Sequence, residues 1–118
     1  MAPTVLVVDD HPSFRASARA ILEAEGFEVV GEAEDGASAL AAVDVLHPQV
    51  VLLDVQLPDM TGFEVCVKLA ERNGRGPDVV LVSSREACDY GSLIEQSGAR
   101  GFVPKAELSG EAVSALLR

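Results

Sequence analysis

The sequence predicts an α/β domain with a five-stranded parallel sheet, in the common order 2-1-3-4-5, and five helices distributed on both faces. Three apolar runs are β-branched and continuous rather than alternating: TVLVV (4–8), VVLL (50–53) and VVLV (79–82). Such strands are buried on both faces, as in a parallel sheet covered by helices. Segments of helical periodicity separate these runs, which is the pattern of an open, doubly wound sheet.

Two weaker strands complete the predicted sheet. The segment FEVVGEA (27–33) mixes polar and apolar residues, which suits an edge strand. A fifth short strand, from Gly101 to Val103, follows a helix end at Gly98. The sequence contains no internal repeat or linker, so we expect residues 1–118 to form one domain.

The first two helices are bounded by residues that favour helix ends. The first follows Pro12, which suits the first helical position, and stops at Gly26. The second covers about 37–46 and ends at His47-Pro48, because a proline disfavours the helical conformation of the preceding residue. Their inward-facing residues are Phe14, Ala18, Ile21 and Leu22 in the first helix and Leu40 and Val43 in the second.

The other three helices differ in strength. The third begins at Thr61, because Thr61 and Glu64 match a capping box. The fourth, near 86–97, is the weakest and is expected to be the most mobile, since Gly91 interrupts it. The fifth starts at the candidate N-cap Ser109 and runs to the chain end. Their predicted inner residues are Phe63, Cys66, Val67 and Ala70 in the third helix and Val113, Leu116 and Leu117 in the fifth.

Composition narrows the class of protein. The net charge of -10 opposes direct binding to nucleic acid or anionic lipid, which depends on Lys and Arg. No apolar stretch approaches the length of a membrane span, and the N-terminus lacks the basic start of a signal peptide, so a cytoplasmic protein is expected. The two cysteines, Cys66 and Cys88, have no metal-binding spacing and are expected to be reduced thiols.

Charged or hydroxyl side chains stand at the ends of the central strands. Strand one ends in Asp9-Asp10, strand three in Asp54, VVLVS in Ser83 and GFVPK in Lys105. In this sheet order the point where strand order reverses lies between strands one and three, and ligands bind there beyond the carboxyl ends of the strands. We therefore expect the three acids to share one crevice with Ser83 and Lys105.

Three carboxylates in one crevice require compensation. Two unit charges about 4 Å apart repel by roughly 4 kcal/mol at an effective dielectric of about 20. An oxygen-only cluster suits Mg²⁺, which is often held by one or two carboxylates, waters and a phosphate oxygen. A carboxylate facing Mg²⁺ and an ammonium group is suited to phosphoryl transfer.

Taken singly, each of these residues also has a purely structural interpretation. Turn and cap chemistry explains each Asp separately, although it does not explain their convergence. A Ser at a strand end or a surface Lys is common, and Phe102 could simply belong to the core. His11 is expected to be a loop residue rather than a metal ligand. Asp59 is expected to be a solvated loop residue, with Pro58 and Gly62 shaping the turn after Asp54.

With Asp9-Asp10, Asp54 followed by Leu57-Pro58 and Gly62, Ser83 and Lys105 in that order, the chain resembles a bacterial response regulator receiver domain, with a flavodoxin-like (CheY-like) fold, over essentially its whole length. VVDDHPSFR and GARGFVPK are most similar to the NarL/FixJ subgroup, whose members often carry a C-terminal helix-turn-helix output domain. The resemblance implies a sensor histidine kinase as partner and possible homodimerisation on phosphorylation. Such a chain would control transcription through another domain, without binding DNA itself.

The resemblance also implies a role for each site residue. Asp54 would accept the phosphoryl group, and Mg²⁺ would be bound by the side chains of Asp10 and Asp54, by Asp9 through water and by the backbone carbonyl of Gln56. The same resemblance implies that Ser83 would hydrogen-bond the phosphoryl oxygens, that Lys105 would pair with them, and that Phe102 would be the aromatic switch. The readout surface would comprise helix four, strand five and helix five.

Several residues depart from the family's common pattern. Ser83 stands where Thr is frequent, and Phe102 where Tyr is frequent. Ala106 follows Lys105 in place of the usual proline, so a cis peptide bond there loses the residue that makes it favourable. Gln56 and Arg85 occupy positions that tune dephosphorylation in the family, and Arg85 is unusual.

The sequence also bears on three rival kinds of function. A phosphatase of the haloacid dehalogenase type needs a second Asp two residues after the first, where this chain has Gln56. Nucleotide or flavin binding is disfavoured because VLVVDDHPSF has no GxGxxG and places acids where phosphate would need backbone amides. A stand-alone receiver, or an interaction module of the same fold that is not phosphorylated, stays open.

Overall fold

A computed structural model describes residues 2–72 and 76–118. Its centre is a five-stranded sheet in the order β2-β1-β3-β4-β5 with every neighbouring pair parallel, which confirms the predicted topology. The strands are β1 (Thr4–Val8), β2 (Glu28–Ala33), β3 (Val50–Asp54), β4 (Asp78–Ser83) and β5 (Gly101–Pro104). The three central strands are almost entirely buried, as their continuous apolar composition predicted.

Helices cover both faces of the sheet. They are α1 (Pro12–Glu25), α2 (Gly36–Leu46), α3 (Gly62–Ala70), α4 (Leu93–Gln96) and α5 (Gly110–Leu117). One apolar core contains residues of α1 and α5, including Leu22 and Val113, and the other contains residues of α2 and α3, including Val43 and Val65. Because alternate residues of each strand enter opposite cores, Leu52 belongs to the first core and Leu53 to the second.

The predicted helix ends have local physical causes. Gly26 adopts a left-handed conformation (φ 103°) after α1, and His47 does the same (φ 48°) after α2. At the start of α3 the Thr61 hydroxyl accepts a hydrogen bond from the Glu64 N–H at 3.1 Å. The Ser109 hydroxyl accepts one from Ala112 N–H at 3.0 Å at the start of α5. These contacts pair N–H groups that a helix terminus leaves without a partner.

The fourth helix differs from the expectation of one helix near 86–97. A 3₁₀ turn (Ala87–Tyr90) and the short α4 replace it, separated by Gly91 at φ 57°. Neither piece contains a buried residue, so little apolar burial opposes the conformational freedom of the glycine. This segment therefore contributes no fully buried side chain to the core.

The prediction of which α3 residues face inward was also partly wrong. Val67, predicted to face inward, is 56% exposed, and Ala70 is exposed as well. The buried positions are Gly62, Val65, Cys66 and Leu69, which recur at intervals of three and four residues on one face of the helix. Both cysteines are free, Cys66 buried and Cys88 exposed. Within the described residues, none of the helices has the length and apolarity needed to cross a membrane.

Candidate functional site

The carboxyl ends of β1 and β3 bring two buried acids to one lysine. Asp9 is 0% exposed and Asp54 is 3% exposed. Lys105, which follows β5, places its Nζ 2.6 Å from Asp9 Oδ2 and 3.3 Å from Asp54 Oδ2. The parallel strand order accounts for this meeting, since residues distant in sequence finish at the same edge of the sheet.

Asp10 and His11 complete an acidic cluster. One ligand atom from each of Asp9, Asp10, His11 and Asp54 lies within 4.8 Å of the others. His11, expected to be only a loop residue, has its Nδ1 3.1 Å from Asp9 Oδ1 and 3.0 Å from Asp10 Oδ1. Its adjacency to two acids in the sequence was the available signal, but the direction of its ring depends on the turn into α1.

The cluster shifts the pKa of each of its buried groups. Burial raises the pKa of Asp54 to about 6, and the negative Asp9 adds to this, against the opposing effect of Lys105. Burial also disfavours charge on Asp9, but the Lys105 ammonium and the His11 N–H outweigh it, so the pKa of Asp9 lies below its usual range. Burial would lower the pKa of Lys105, whereas its contacts with the two carboxylates raise it. The charge of Lys105 therefore lowers the pKa of both acids, and both acids raise the pKa of Lys105.

Lys105 is held from two sides. Its Nζ lies 4.5 Å from the centroid of the Phe14 ring, a cation–π contact that orients the ammonium toward the acids. Its side chain is only 17% exposed. The peptide bonds of the described residues, including that between Lys105 and Ala106, are all trans. The ammonium thus reaches both carboxylates without a cis bond.

The loop after Asp54 is shaped by close backbone contacts. The Gln56 N–H donates to Asp54 Oδ1 at 3.2 Å, and the Gly62 N–H donates to the Val55 carbonyl at 2.7 Å. A Cβ on Gly62 would lie 2.6 Å from the Asp54 carbonyl oxygen and 3.0 Å from Val55 Cα. Gly62 therefore permits α3 to start directly against the strand that carries Asp54.

Asp59 has a role that the sequence did not reveal. Its carboxylate accepts hydrogen bonds from the N–H groups of Gly36 at 2.8 Å and Ala37 at 2.9 Å. These hydrogen bonds hold its pKa below the usual value. Asp59 therefore ties the loop after Asp54 to the N-terminus of α2, together with a capping box between Asp35 and Ser38.

Arg15 is a second contributor that the sequence reasoning missed. Its guanidinium donates to the backbone carbonyl of Asp9 at 2.6 Å and to Glu32 at 3.0 Å. The signal was its place in the first turn of α1, five residues after Asp10. Its contact fixes the backbone of the acidic turn, leaving the Asp9 side chain free for the cluster.

Ser83 and Phe102 meet through Tyr90. Ser83 is 0% exposed, and its Oγ lies 2.6 Å from the Tyr90 hydroxyl and accepts the Arg85 N–H at 3.1 Å. The half-buried Phe102 packs edge-on against Tyr90, with ring centroids 5.8 Å apart. Tyr90 was not singled out from the sequence, because its partners come from separate strands.

The chemistry of these groups fits a hard divalent cation. Three carboxylates face a single ammonium, so negative charge is in excess. The one Lys105 ammonium lies 2.6 Å from Asp9 Oδ2 and 3.3 Å from Asp54 Oδ2, so two buried carboxylates share a single positive charge. Carboxylate oxygens are the ligands that Mg²⁺ prefers.

A doubly wound sheet whose switch point holds clustered carboxylates and a lysine defines a class of signalling domains, and the sequence and structure comparisons agree with that class. The family model described as "Response regulator receiver domain" matches residues 5–117. The chain belongs to this family.

The chain is also similar to two transcription regulators and to one solved receiver domain. It is 32% identical over 111 residues to the DNA-binding transcriptional activator EvgA of Escherichia coli, covering 94% of this chain and 54% of EvgA. It is 35% identical to BvgA of Bordetella pertussis, covering 94% of this chain and 53% of BvgA. The chain thus spans about half the length of these curated relatives. The signal receiver domain of NarL from Mycobacterium tuberculosis matches with a TM-score of 0.87 and 35% identity, covering 98% of this chain and 94% of that one.

Proposed function

We propose that Asp54 accepts a phosphoryl group from the phosphohistidine of a sensor histidine kinase. The observation that carries this proposal is the buried Asp54 carboxylate, placed 3.3 Å from the Lys105 ammonium in one cluster with Asp9 and Asp10. Membership in the receiver family supports phosphoryl transfer to this carboxylate rather than another reaction of a buried acid. The acids at the switch point, rather than the fold alone, support the assignment.

The transfer exchanges one bond to phosphorus for another. A carboxylate oxygen of Asp54 attacks the phosphorus, the phosphorus–nitrogen bond breaks, and its electron pair returns to the donor imidazole, which takes up a proton. The product on this chain is an acyl phosphate. Lys105 faces the oxygens on which negative charge accumulates, so it acts by fixed charge rather than by proton transfer.

Asp10 and Asp54 would hold Mg²⁺ through their side chains, Asp9 through water and Gln56 through its backbone carbonyl. When bound, the cation supplies positive charge to neutralise the transferred group. The support from this chain is the excess of carboxylates over ammonium groups among the described residues, since the buried Asp9 and Asp54 share the one Lys105 ammonium.

Phosphorylation then alters the surface of α4, β5 and α5. The new anion draws the Ser83 hydroxyl and Lys105 toward it, and Phe102 turns inward as Ser83 moves. Because EvgA is a DNA-binding transcriptional activator, we propose transcription as the output, exerted through a domain outside this chain. Homodimerisation on phosphorylation is part of the same proposal. The alternative is a stand-alone receiver that acts by protein contact or phosphotransfer.

The test is incubation with acetyl phosphate and Mg²⁺, followed by intact mass measurement. We expect one phosphoryl adduct on the wild-type protein and none on Asp54→Asn. Asp59→Asn is the matched control, since it alters a nearby exposed carboxylate that caps α2 and should leave the adduct intact. An unmodified wild-type protein would favour the unphosphorylated interaction module instead, and an equal adduct on Asp54→Asn would show that another residue is the acceptor.

A further inference from the structure

We propose that the Tyr90 hydroxyl restrains the Ser83 hydroxyl in the unmodified protein, so that phosphorylation of Asp54 must release Tyr90. The inference rests on the proposed function of Asp54. It adds a positioning residue from the 3₁₀ turn Ala87–Tyr90 to the site. The juxtaposition that supports it is a 2.6 Å hydrogen bond between Tyr90 and a buried serine at the end of the strand next to Asp54.

The hydrogen-bonding capacity of Ser83 is the first argument. Its hydroxyl offers one proton and two lone pairs. One lone pair already accepts the Arg85 N–H at 3.1 Å, and the contact with Tyr90 occupies either the proton or the other lone pair. Turning the hydroxyl toward a phosphoryl group on Asp54 would pull it away from Tyr90. Where Ser83 donates to Tyr90, its one proton cannot also be donated to the phosphoryl group, so the two interactions compete.

The Tyr90 ring connects this competition to two other elements. It packs edge-on against Phe63 of α3 (centroids 5.5 Å apart, 71° between planes) and against Phe102 of β5 (5.8 Å, 60°). Such aromatic pairs have preferred geometries, so displacing one ring disturbs its neighbours. Because the ring of Phe102 contacts the ring of Tyr90, a rotation of Phe102 requires Tyr90 to move as well. Release of the hydroxyl would free the rings of Tyr90 and Phe102 together.

The chain around Tyr90 is built to move at small cost. The 3₁₀ turn and α4 contain no buried residue, and Gly91, at φ 57°, follows Tyr90 directly. A segment with so little burial has low local stability. The hydroxyl contact with Ser83 is thus a polar anchor that joins this segment to the sheet, and rotation at Ser83 removes it, leaving the ring contacts of Tyr90 with Phe63 and Phe102.

The composition provides a direct probe of the inference. The chain has one tyrosine and no tryptophan, so its intrinsic fluorescence reports on Tyr90 alone. We expect the emission of the wild-type protein to change when acetyl phosphate and Mg²⁺ produce the adduct, and Asp54→Asn to show no change. Constant emission during complete modification would overturn the inference.

Tyr90→Phe provides the second arm, because it removes the hydroxyl and keeps the ring. The initial phosphorylation rate should rise by about twofold to tenfold, the range expected for loss of one neutral hydrogen bond. In a Ser83→Ala background the same substitution should have no effect, since the restraint is already gone. Ser84→Ala, which removes the exposed neighbouring hydroxyl, is the matched control and should leave the rate unchanged.

The outcomes separate the two proposals. A wild-type protein that takes up no phosphoryl group would defeat the proposed function of Asp54. A wild-type protein that is modified, with Tyr90→Phe no faster, would defeat only the restraint by Tyr90. An equal acceleration by Tyr90→Phe with and without Ser83 would also overturn it, since that result would show that the ring acts independently of the serine.

Discussion

The ammonium of Lys105 lies 3.3 Å from the Asp54 carboxylate although the two residues are separated by 51 positions in the chain. The same ammonium is 2.6 Å from Asp9, so a single positive charge serves two buried acids. This ratio makes the site dependent on Lys105 and leaves it short of positive charge.

Lys105→Met should slow phosphorylation of Asp54 by roughly 100-fold, the usual scale for removing a group that stabilises developing negative charge. The unbranched side chain keeps much of the volume beside Phe14. Initial rates with acetyl phosphate, measured by intact mass, give the comparison. Lys68→Met, at an exposed position of α3, is the control and should behave as the wild type does. An unchanged rate in Lys105→Met would contradict the role of the ammonium.

Asp54→Asn should stabilise the protein at neutral pH when no divalent cation is present. The pKa of Asp54 is raised from 3.8 to about 6, so the folded state holds its proton more tightly than the unfolded chain does. For such a group, the stabilisation from protonation is complete below about pH 4 and is lost as the pH rises to 6 and above.

The corresponding gain for Asp54→Asn at pH 7 is on the order of 3 kcal/mol, and the raised pKa from which it follows already includes the attraction to Lys105. Urea unfolding at several pH values measures it. The two proteins should approach equal stability near pH 4, where Asp54 is protonated in the folded state. A wild-type protein that is more stable than Asp54→Asn at pH 7 in chelator would refute the prediction.

Mg²⁺ should raise the thermal midpoint of unfolding, because a ligand that binds only the folded state stabilises it by about 2.7 kcal/mol at 100 times its dissociation constant. Asp10→Asn removes one carboxylate of the cluster and should weaken binding at least about tenfold, judged from the scale of effects around metal ligands. Calorimetric titration with Mg²⁺ measures the affinity. Glu71→Gln, at an exposed acid after α3, should retain wild-type binding. Equal affinities in Asp10→Asn and wild type would remove Asp10 from the site.

Gly62→Ala should destabilise the protein by about 1–3 kcal/mol, the usual range for inserting a methyl group into a filled space. Its Cβ would meet the backbone of Asp54 and Val55, and backbone atoms cannot swing aside as a flexible side chain can. Gly76→Ala is the control, since its Cβ would lie 3.7 Å from the Leu69 carbonyl oxygen, an ordinary contact. Denaturant unfolding should separate the two variants, and similar losses in both would indicate a general effect of replacing glycine.

The sequence predicted the strongly patterned elements of the fold correctly. The continuous runs in β1, β3 and β4 specified a parallel sheet covered on both faces, and Pro12, Gly26 and Thr61 marked helix ends. Predictions for weakly patterned segments were less accurate. One weak helix interrupted at Gly91 was expected near 86–97, where a 3₁₀ turn and the short α4 form instead. Val67 was expected to face inward and is exposed, because helix rotation cannot be read from a short apolar pattern.

Asp9, Asp10, Asp54, Ser83 and Lys105 were predicted to gather because parallel strands end at a common edge, a rule that needs only the order of elements along the chain. Their partners depended on the tertiary structure. Tyr90 reaches Ser83, Asp59 reaches the start of α2, and Phe14 lies beneath Lys105. Periodicity and strand ends are properties of neighbouring residues, so the sequence carries them directly. The direction of a side chain across a loop depends on how separate elements pack, and that is decided only when the whole chain has folded.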